Sequence, residues 1–167
     1  MNNTKRFYLA SRRSTILDSL LEVASNNEPF ERYYNFGMKG VDHRLICEDS
    51  FLISLHDAHP FKAAILLIPP NNIYNWHVDD NRGVAVNMMV SGRDSHCVFT
   101  DEDFDIVNGI EELRYEPETY YLFNTQKYHS VINLNNPRYM MSIEFNEDKY
   151  RLNYDQLVVE YERGDFG

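Results

Sequence analysis

The chain has 167 residues, 43% of them hydrophobic and 14% aromatic, so it contains enough apolar material for a folded domain and is not intrinsically disordered. Its formal net charge of −10 argues against binding to a nucleic-acid backbone, which requires a basic surface. Cys47 and Cys97 form no CxxC pattern, which argues against a disulfide framework or a zinc finger and favours a reducing cytoplasm. The N-terminal run MNNTKRFYLASRRST lacks the apolar stretch of a secretion signal, and AAILLIPP is too short to span a bilayer.

The first predicted element is an amphipathic helix over residues 14–26. Its apolar residues recur at helical spacing, and Thr15 with Asp18 fits a capping box at its start. Pro29 is expected to end the helix, because the residue before a proline avoids helical geometry. We expect this helix to pack outside the main body of the fold.

From residue 45 onward the pattern changes to short strand-like runs separated by turn residues. These runs are RLICE, SFLISL, KAAILLI, VAVNMMV, HCVFT, ELRYE, TYYLFN, HSVINL and RYMMSIEF. Many short strands with no helices between them are typical of an antiparallel sandwich or barrel. The segment after Asn146 is charged, with one apolar patch that predicts a final helix or strand.

These elements predict one domain over residues 1–167. Within it, residues 1–44 form an N-terminal helical extension, 45–146 form a jelly-roll core, and 147–167 form an acidic C-terminal segment. The fold class predicted is mainly β.

Three residues have the composition of a metal site. In the stretch NWHVDDNRG, His77 and Asp79 stand on alternate positions, which face the same side of an extended strand. His129 begins a later strand, and two histidines with one carboxylate form the facial triad that binds Fe(II) in non-haem oxygenases. Arg138 begins the next strand, where its planar fork is suited to hold the carboxylate of a keto acid.

These motifs resemble the Fe(II)/2-oxoglutarate-dependent oxygenases, whose fold is the double-stranded β-helix, a cupin-like jelly roll. The resemblance covers about Lys62 to Phe145, and the run HSVINLNNPRYMMSIEF looks most like the aspartyl/asparaginyl β-hydroxylase branch. It implies that His77, Asp79 and His129 bind the iron and that Arg138 binds 2-oxoglutarate. Met140 stands where some branches carry a serine, which leaves the second contact to that carboxylate unassigned.

Several nearby residues have two interpretations. Asn87 interrupts an apolar strand. It is either an extra contact to the cosubstrate or a polar residue at a bulge or sheet edge. Strand alternation turns Asp80 away from the metal, and Arg82 is expected to pair with Asp80 at the surface. His56 and His59 lack the glutamate of a zinc motif and are predicted to be a turn cap or a solvated pair. Residues 101–105, DEDFD, predict a solvated acidic loop, since they do not fit a calcium loop.

The function predicted is an Fe(II)- and 2-oxoglutarate-dependent dioxygenase that uses O2 to hydroxylate a C–H bond of a peptide or protein side chain or of a small metabolite. The substrate is expected to be set by loops 30–43 and 92–112. Two alternatives remain at this stage: a cupin-like metalloenzyme without a keto acid, for which Arg138 has no role, and a non-enzymatic binding module, for which the triad is a coincidence.

Overall fold

The computed structural model describes residues 5–92, 94–100 and 109–167, which form two antiparallel sheets with helices on one side. The predicted acidic loop at 101–105 lies outside the described residues. The strands are β1 (Phe7–Arg13), β2 (Glu31–Tyr33), β3 (Phe36–Gly40), β4 (Phe61–Ile68), β5 (Asn72–His77), β6 (Ala85–Ser91), β7 (Ser95–Thr100), β8 (Glu111–Leu113), β9 (Thr119–Phe123), β10 (Tyr128–Asn133) and β11 (Arg138–Phe145). The helices are α1 (Leu17–Ser25), α2 (His43–Ile46), α3 (Ser50–Ala58) and α4 (Tyr154–Arg163).

The larger sheet, here the major sheet, has the strand order β1-β9-β6-β11-β4-β3-β2, and the minor sheet has the order β5-β10-β7-β8. Strands that are distant in sequence are therefore neighbours, as in a jelly roll. The mainly β fold class predicted from the sequence is confirmed.

Side-chain alternation gives the major sheet two different faces. On β11, Met141 and Ile143 point outward and pack with Leu20 of α1 and Leu52 of α3 in one buried cluster. A second cluster lies between the two sheets and includes Phe99 of the minor sheet. The helices thus cover the outer face of the major sheet, which leaves its inner face for the second core and the site described below.

The predicted N-terminal helix is present as α1 and packs outside the sheets, but its predicted cap is wrong. No side chain caps α1, because Thr15 instead donates its backbone N–H and its hydroxyl to Asp49. The segment predicted as a helical extension also supplies β1, β2 and β3 to the major sheet. The division into three segments stays a prediction.

Two of the predicted strands are helices. RLICE lies in and just after α2, and SFLISL lies in α3. The side chain of Asp42 accepts the backbone N–H of Arg44, and the side chain of Asp49 accepts those of Phe51 and Leu52. These N-caps satisfy amides that a strand would pair across a sheet, and they stabilise the start of each helix by about 1 kcal/mol.

The C-terminal segment forms a helix, α4, which begins with a capping box of Asn153 and Gln156 and ends at Gly164 in the left-handed conformation. No helix of the described residues is long and apolar enough to cross a membrane.

His59 joins α4 to the end of β11. Its Nδ1 lies 2.8 Å from a Glu147 oxygen and its Nε2 lies 2.6 Å from a Glu160 oxygen, and only 14% of its side chain is exposed. His59 is the C-cap residue of α3. The sequence predicted a turn cap or a solvated pair, and His59 is not solvated. Burial alone would lower the pKa of His59, but its hydrogen bonds to Glu160 and Glu147 and their charges outweigh burial and raise it.

The raised pKa makes stability depend on pH. Because the folded-state pKa lies above the unfolded value of about 6.5, the stabilisation is complete below that value and is lost as pH rises through the folded-state pKa. We expect His59→Gln to lower the free energy of unfolding by about 1.5–3 kcal/mol at pH 6 and by less at pH 9. Urea unfolding at both pH values measures the difference.

His96→Gln is the matched control for this prediction. His96 pairs with Glu112 at 2.7 Å, but about half of its side chain is exposed, so its loss should cost less than about 1 kcal/mol. If His59→Gln lowers the free energy of unfolding equally at pH 6 and pH 9, the His59 ring is not protonated in the folded protein. The two carboxylates then do not stabilise an imidazolium.

Candidate metal and cosubstrate site

The three predicted ligands lie together at one end of the minor sheet. His77 ends β5, and His129 lies opposite it on β10 as its cross-strand partner. Asp79 follows in the loop after β5, where its backbone N–H donates to the Thr125 carbonyl. One ligand atom from each of the three residues falls within 4.8 Å of the others, so a single ion fits between them.

Both histidines are oriented by backbone carbonyls. Nδ1 of His77 lies 2.6 Å from the Asn75 carbonyl oxygen, and Nδ1 of His129 lies 2.8 Å from that of Lys127. A carbonyl only accepts, so each Nδ1 carries a proton, and in a neutral ring Nε2 then presents a lone pair. This is the arrangement in which protein histidines bind metals.

The electrostatics of the cluster also fit a cation. Burial, followed by the charge of His77, lowers the pKa of His129 to about 4. His129 is therefore neutral at physiological pH and does not need to lose a proton before it binds a metal. Two imidazoles and one carboxylate match the donor set that holds a first-row divalent ion such as Fe(II).

The partner predicted for Arg82 is wrong. Arg82 binds Asp79 rather than Asp80, with Nε at 2.8 Å and Nη2 at 2.7 Å from Oδ2 of Asp79. Asp80 is exposed and does not belong to the ligand cluster found among the described residues. Asp79 is partly buried beside His77, and this proximity makes it the better partner for a cation.

Arg138 lies on the inner face of the major sheet, and its exposed fraction is only 4%. Its guanidinium carbon lies 5.9 Å from the centre of the Tyr115 ring, and its buried Nε has no hydrogen-bond partner among the described residues. Within the described ranges no carboxylate forms an ion pair with it, and Glu144 on the same strand is exposed at the far end of β11. A buried guanidinium without an anion is costly, so this position suits an anionic ligand.

Two further buried polar atoms lie in the same place. Oδ1 of Asn87 and the hydroxyl of Tyr115 have no hydrogen-bond partner in the described part of the chain. Both residues line the cavity that contains Arg138 and the triad. Tyr115 was missed by sequence reasoning, because nothing separates it from the other eleven tyrosines until the fold is known.

Close backbone packing keeps Arg138 in place. Gly92 has φ +111°, a conformation that favours glycine, and a Cβ at this position would lie 2.7 Å from the Cα of Arg138. The end of β6 therefore approaches the start of β11 more closely than any other residue type allows.

The site opens into a cavity of about 1100 Å³ between the sheets. The hairpin of β2 and β3, within the predicted substrate loop 30–43, forms part of its mouth. At the hairpin tip, Tyr34 has φ 51° and is 72% exposed, and the Asn35 side chain donates to the Ile73 carbonyl of β5 at 2.7 Å. Contacting aromatic pairs lead inward from Tyr33 to His77 and continue on to His129.

The other histidines lie elsewhere. His43 is exposed and close to Cys47, and His56 packs against His43 and Phe61. His96 pairs with Glu112 on the minor sheet. None of them belongs to the ligand cluster of the described residues.

No protein-family model matches the sequence, and no curated protein is significantly similar to it. Solved structures do resemble it. A prolyl-4-hydroxylase of Pseudomonas putida has a TM-score of 0.64 at 12% identity, covering 86% of this chain and 94% of that chain. HygX of Streptomyces hygroscopicus, solved with nickel, 2-oxoglutarate and hygromycin B, has a TM-score of 0.63 at 11% identity, covering 87% and 84%.

A third structure agrees with these two. The prolyl hydroxylase of Trichoplax adhaerens, in complex with a peptide fragment of the hypoxia inducible factor oxygen degradation domain, has a TM-score of 0.58 at 17% identity and covers 86% of this chain and 84% of that one. The fold is the double-stranded β-helix of the 2-oxoglutarate oxygenases. The double-stranded β-helix predicted from the motifs is therefore confirmed, and the likeness at these identities is one of fold.

Proposed function

We propose that the protein is an Fe(II)- and 2-oxoglutarate-dependent dioxygenase that hydroxylates a C–H bond. His77, Asp79 and His129 would hold the iron, and Arg138 would bind the distal carboxylate of 2-oxoglutarate. The observation that carries the proposal is that the triad lines the same cavity as a buried arginine that has no ion-pair partner among the described residues. A metal site requires only the triad. The buried arginine in addition requires an anion, and the carboxylate of a keto acid is such an anion.

Each residue has a defined task in this proposal. When bound, Fe(II) and 2-oxoglutarate supply the oxygen chemistry. The Arg138 fork makes two parallel charge-assisted hydrogen bonds to a carboxylate, and Asn87 and Tyr115 lie within the same cavity as further polar contacts.

For the substrate we propose a side chain of a peptide or protein, with a small metabolite as the second choice. The support is the size of the cavity, its aromatic mouth, and the likeness in fold to proteins named as prolyl hydroxylases and to HygX. We also propose kinship with the aspartyl/asparaginyl β-hydroxylase branch, which rests on the run HSVINLNNPRYMMSIEF. A cytoplasmic location is supported by the free thiols of Cys47 and Cys97.

Anaerobic titration with Fe(II), with and without 2-oxoglutarate, tests the proposal. We expect a weak visible charge-transfer band that requires both the metal and the keto acid, because the band arises from their chelate. Metal binding without any response to 2-oxoglutarate would favour a cupin-like metalloenzyme. Absence of metal binding would favour a binding module without catalytic activity.

A further inference from the structure

Arg82 contacts the candidate ligand Asp79 in an asymmetric way. Both Nε and Nη2 of Arg82 point to one oxygen, Oδ2. The other oxygen, Oδ1, faces Nε2 of His77 at 3.6 Å. The side chain of Asp79 is 11% exposed and that of Arg82 is 30% exposed, so the pair is only partly screened by solvent.

The backbone around this pair is fixed by the turn that leads into β10. The Thr125 hydroxyl donates to the Arg82 carbonyl at 2.6 Å. The Gln126 side-chain amide donates to the same carbonyl at 2.8 Å and to the Asp79 carbonyl at 2.7 Å. Arg82 therefore approaches Asp79 from a loop that is bonded to the turn just before His129.

Charge-assisted hydrogen bonds to one oxygen compete with a metal for that oxygen. A carboxylate can bind a metal through one oxygen or through both, and the second mode uses an additional coordination position. In this site Oδ2 is already bonded to two N–H groups, whereas Oδ1 faces the cluster of ligand atoms. The contact geometry thus distinguishes the two oxygens before any ion binds.

We propose that Arg82 is a positioning residue that restricts Asp79 to binding the metal through Oδ1 alone. This inference rests on the proposed metal site. It assigns Arg82 the task of keeping open the third free coordination position, so that the keto acid and O2 can be bound together. An arginine is suited to this task because its fork holds one carboxylate oxygen with two donors.

The test uses Mn(II) as the probe, with the full chain and the variants Arg82→Gln and Arg82→Lys. Water-proton relaxation at saturating Mn(II) measures the waters bound to the ion. In Arg82→Gln, Oδ2 becomes free to bind, so we expect the bound water to decrease by about a third. The affinity of the Mn(II)-loaded protein for 2-oxoglutarate should weaken about tenfold.

Arg82→Lys keeps one charged donor and should preserve most of the wild-type relaxation. Arg114→Gln is the matched control, because Arg114 pairs with Glu112 of β8, its side chain is 84% exposed, and its loss should change neither measurement. Mn(II) affinity does not distinguish the outcomes. Loss of the Arg82 charge strengthens Mn(II) binding, whereas loss of the fixed orientation of Asp79 weakens it.

The outcomes separate this inference from the proposed function. If the wild type binds no Mn(II), the proposed metal site is wrong, and so is the role of Arg82 that depends on it. If the wild type binds Mn(II) and 2-oxoglutarate but Arg82→Gln has unchanged relaxation, Asp79 does not depend on Arg82 and only the inference is overturned. Reduced relaxation in Arg82→Gln with recovery in Arg82→Lys supports it.

Discussion

Replacing Arg138 with alanine is expected to weaken 2-oxoglutarate binding by about 2–5 kcal/mol, the usual cost of truncating one partner of a buried charged pair. Arg138→Lys should weaken it less, since lysine keeps the charge but loses the planar fork. Calorimetric titration of 2-oxoglutarate into the Mn(II)-loaded wild type and both variants measures the effect. Metal affinity should change much less, because Arg138 supplies none of the proposed ligand atoms.

Arg138 should also be separable from folding. Its Nε has no hydrogen-bond partner among the described residues, so its removal does not strand a protein carboxylate there. Arg44→Ala is a suitable control, as Arg44 pairs with Asp42 on the exposed surface. Equal 2-oxoglutarate affinity in wild type and both Arg138 variants would argue against the keto-acid role and favour a metalloenzyme of the cupin type.

His77→Ala and His129→Ala are each expected to abolish tight metal binding, because each removes one of the three proposed ligands. A metal bound only by the folded state raises the free energy of unfolding by about 2.7 kcal/mol at a concentration of one hundred times Kd. Thermal unfolding with Mn(II) and with a chelator should show this gain in the wild type and not in either variant.

Asp80→Ala is the control, because Asp80 is adjacent to the proposed ligand Asp79 but is exposed. The metal-dependent gain should survive in this variant and disappear in Asp79→Ala. The reverse result would mean that the loop after β5 presents its carboxylates in a different register.

Most strands between residues 61 and 145 were predictable because short apolar runs are bounded there by turn residues, but β5 was not among the predicted runs. On β11, for example, the residues that face the helices and those that line the cavity alternate along RYMMSIEF. The runs in α2 and α3 misled because short apolar stretches do not distinguish a buried helix from a strand. The informative signals were the capping residues Asp42 and Asp49, which stand just before each helix.

For the candidate site, the sequence indicates which residues to consider but not which contacts they make. His77, Asp79, His129 and Arg138 were selected by chemistry and spacing, and the fold brings them to one cavity. The partner of Arg82 and the place of Tyr115 depend on how loops approach through space. A sequence pattern does not contain that information, so these two could be found only in the structure.

The two halves of the site belong to different layers of the sandwich: His77 and His129 lie on the minor sheet, and Arg138 and Asn87 lie on the major sheet. Between the layers at the mouth, Asn35 of the hairpin supplies a side-chain hydrogen bond to β5. Any ligand that reaches from the triad to Arg138 therefore contacts both sheets at once. Ligand binding would connect the two sheets, and ligand release would remove that connection.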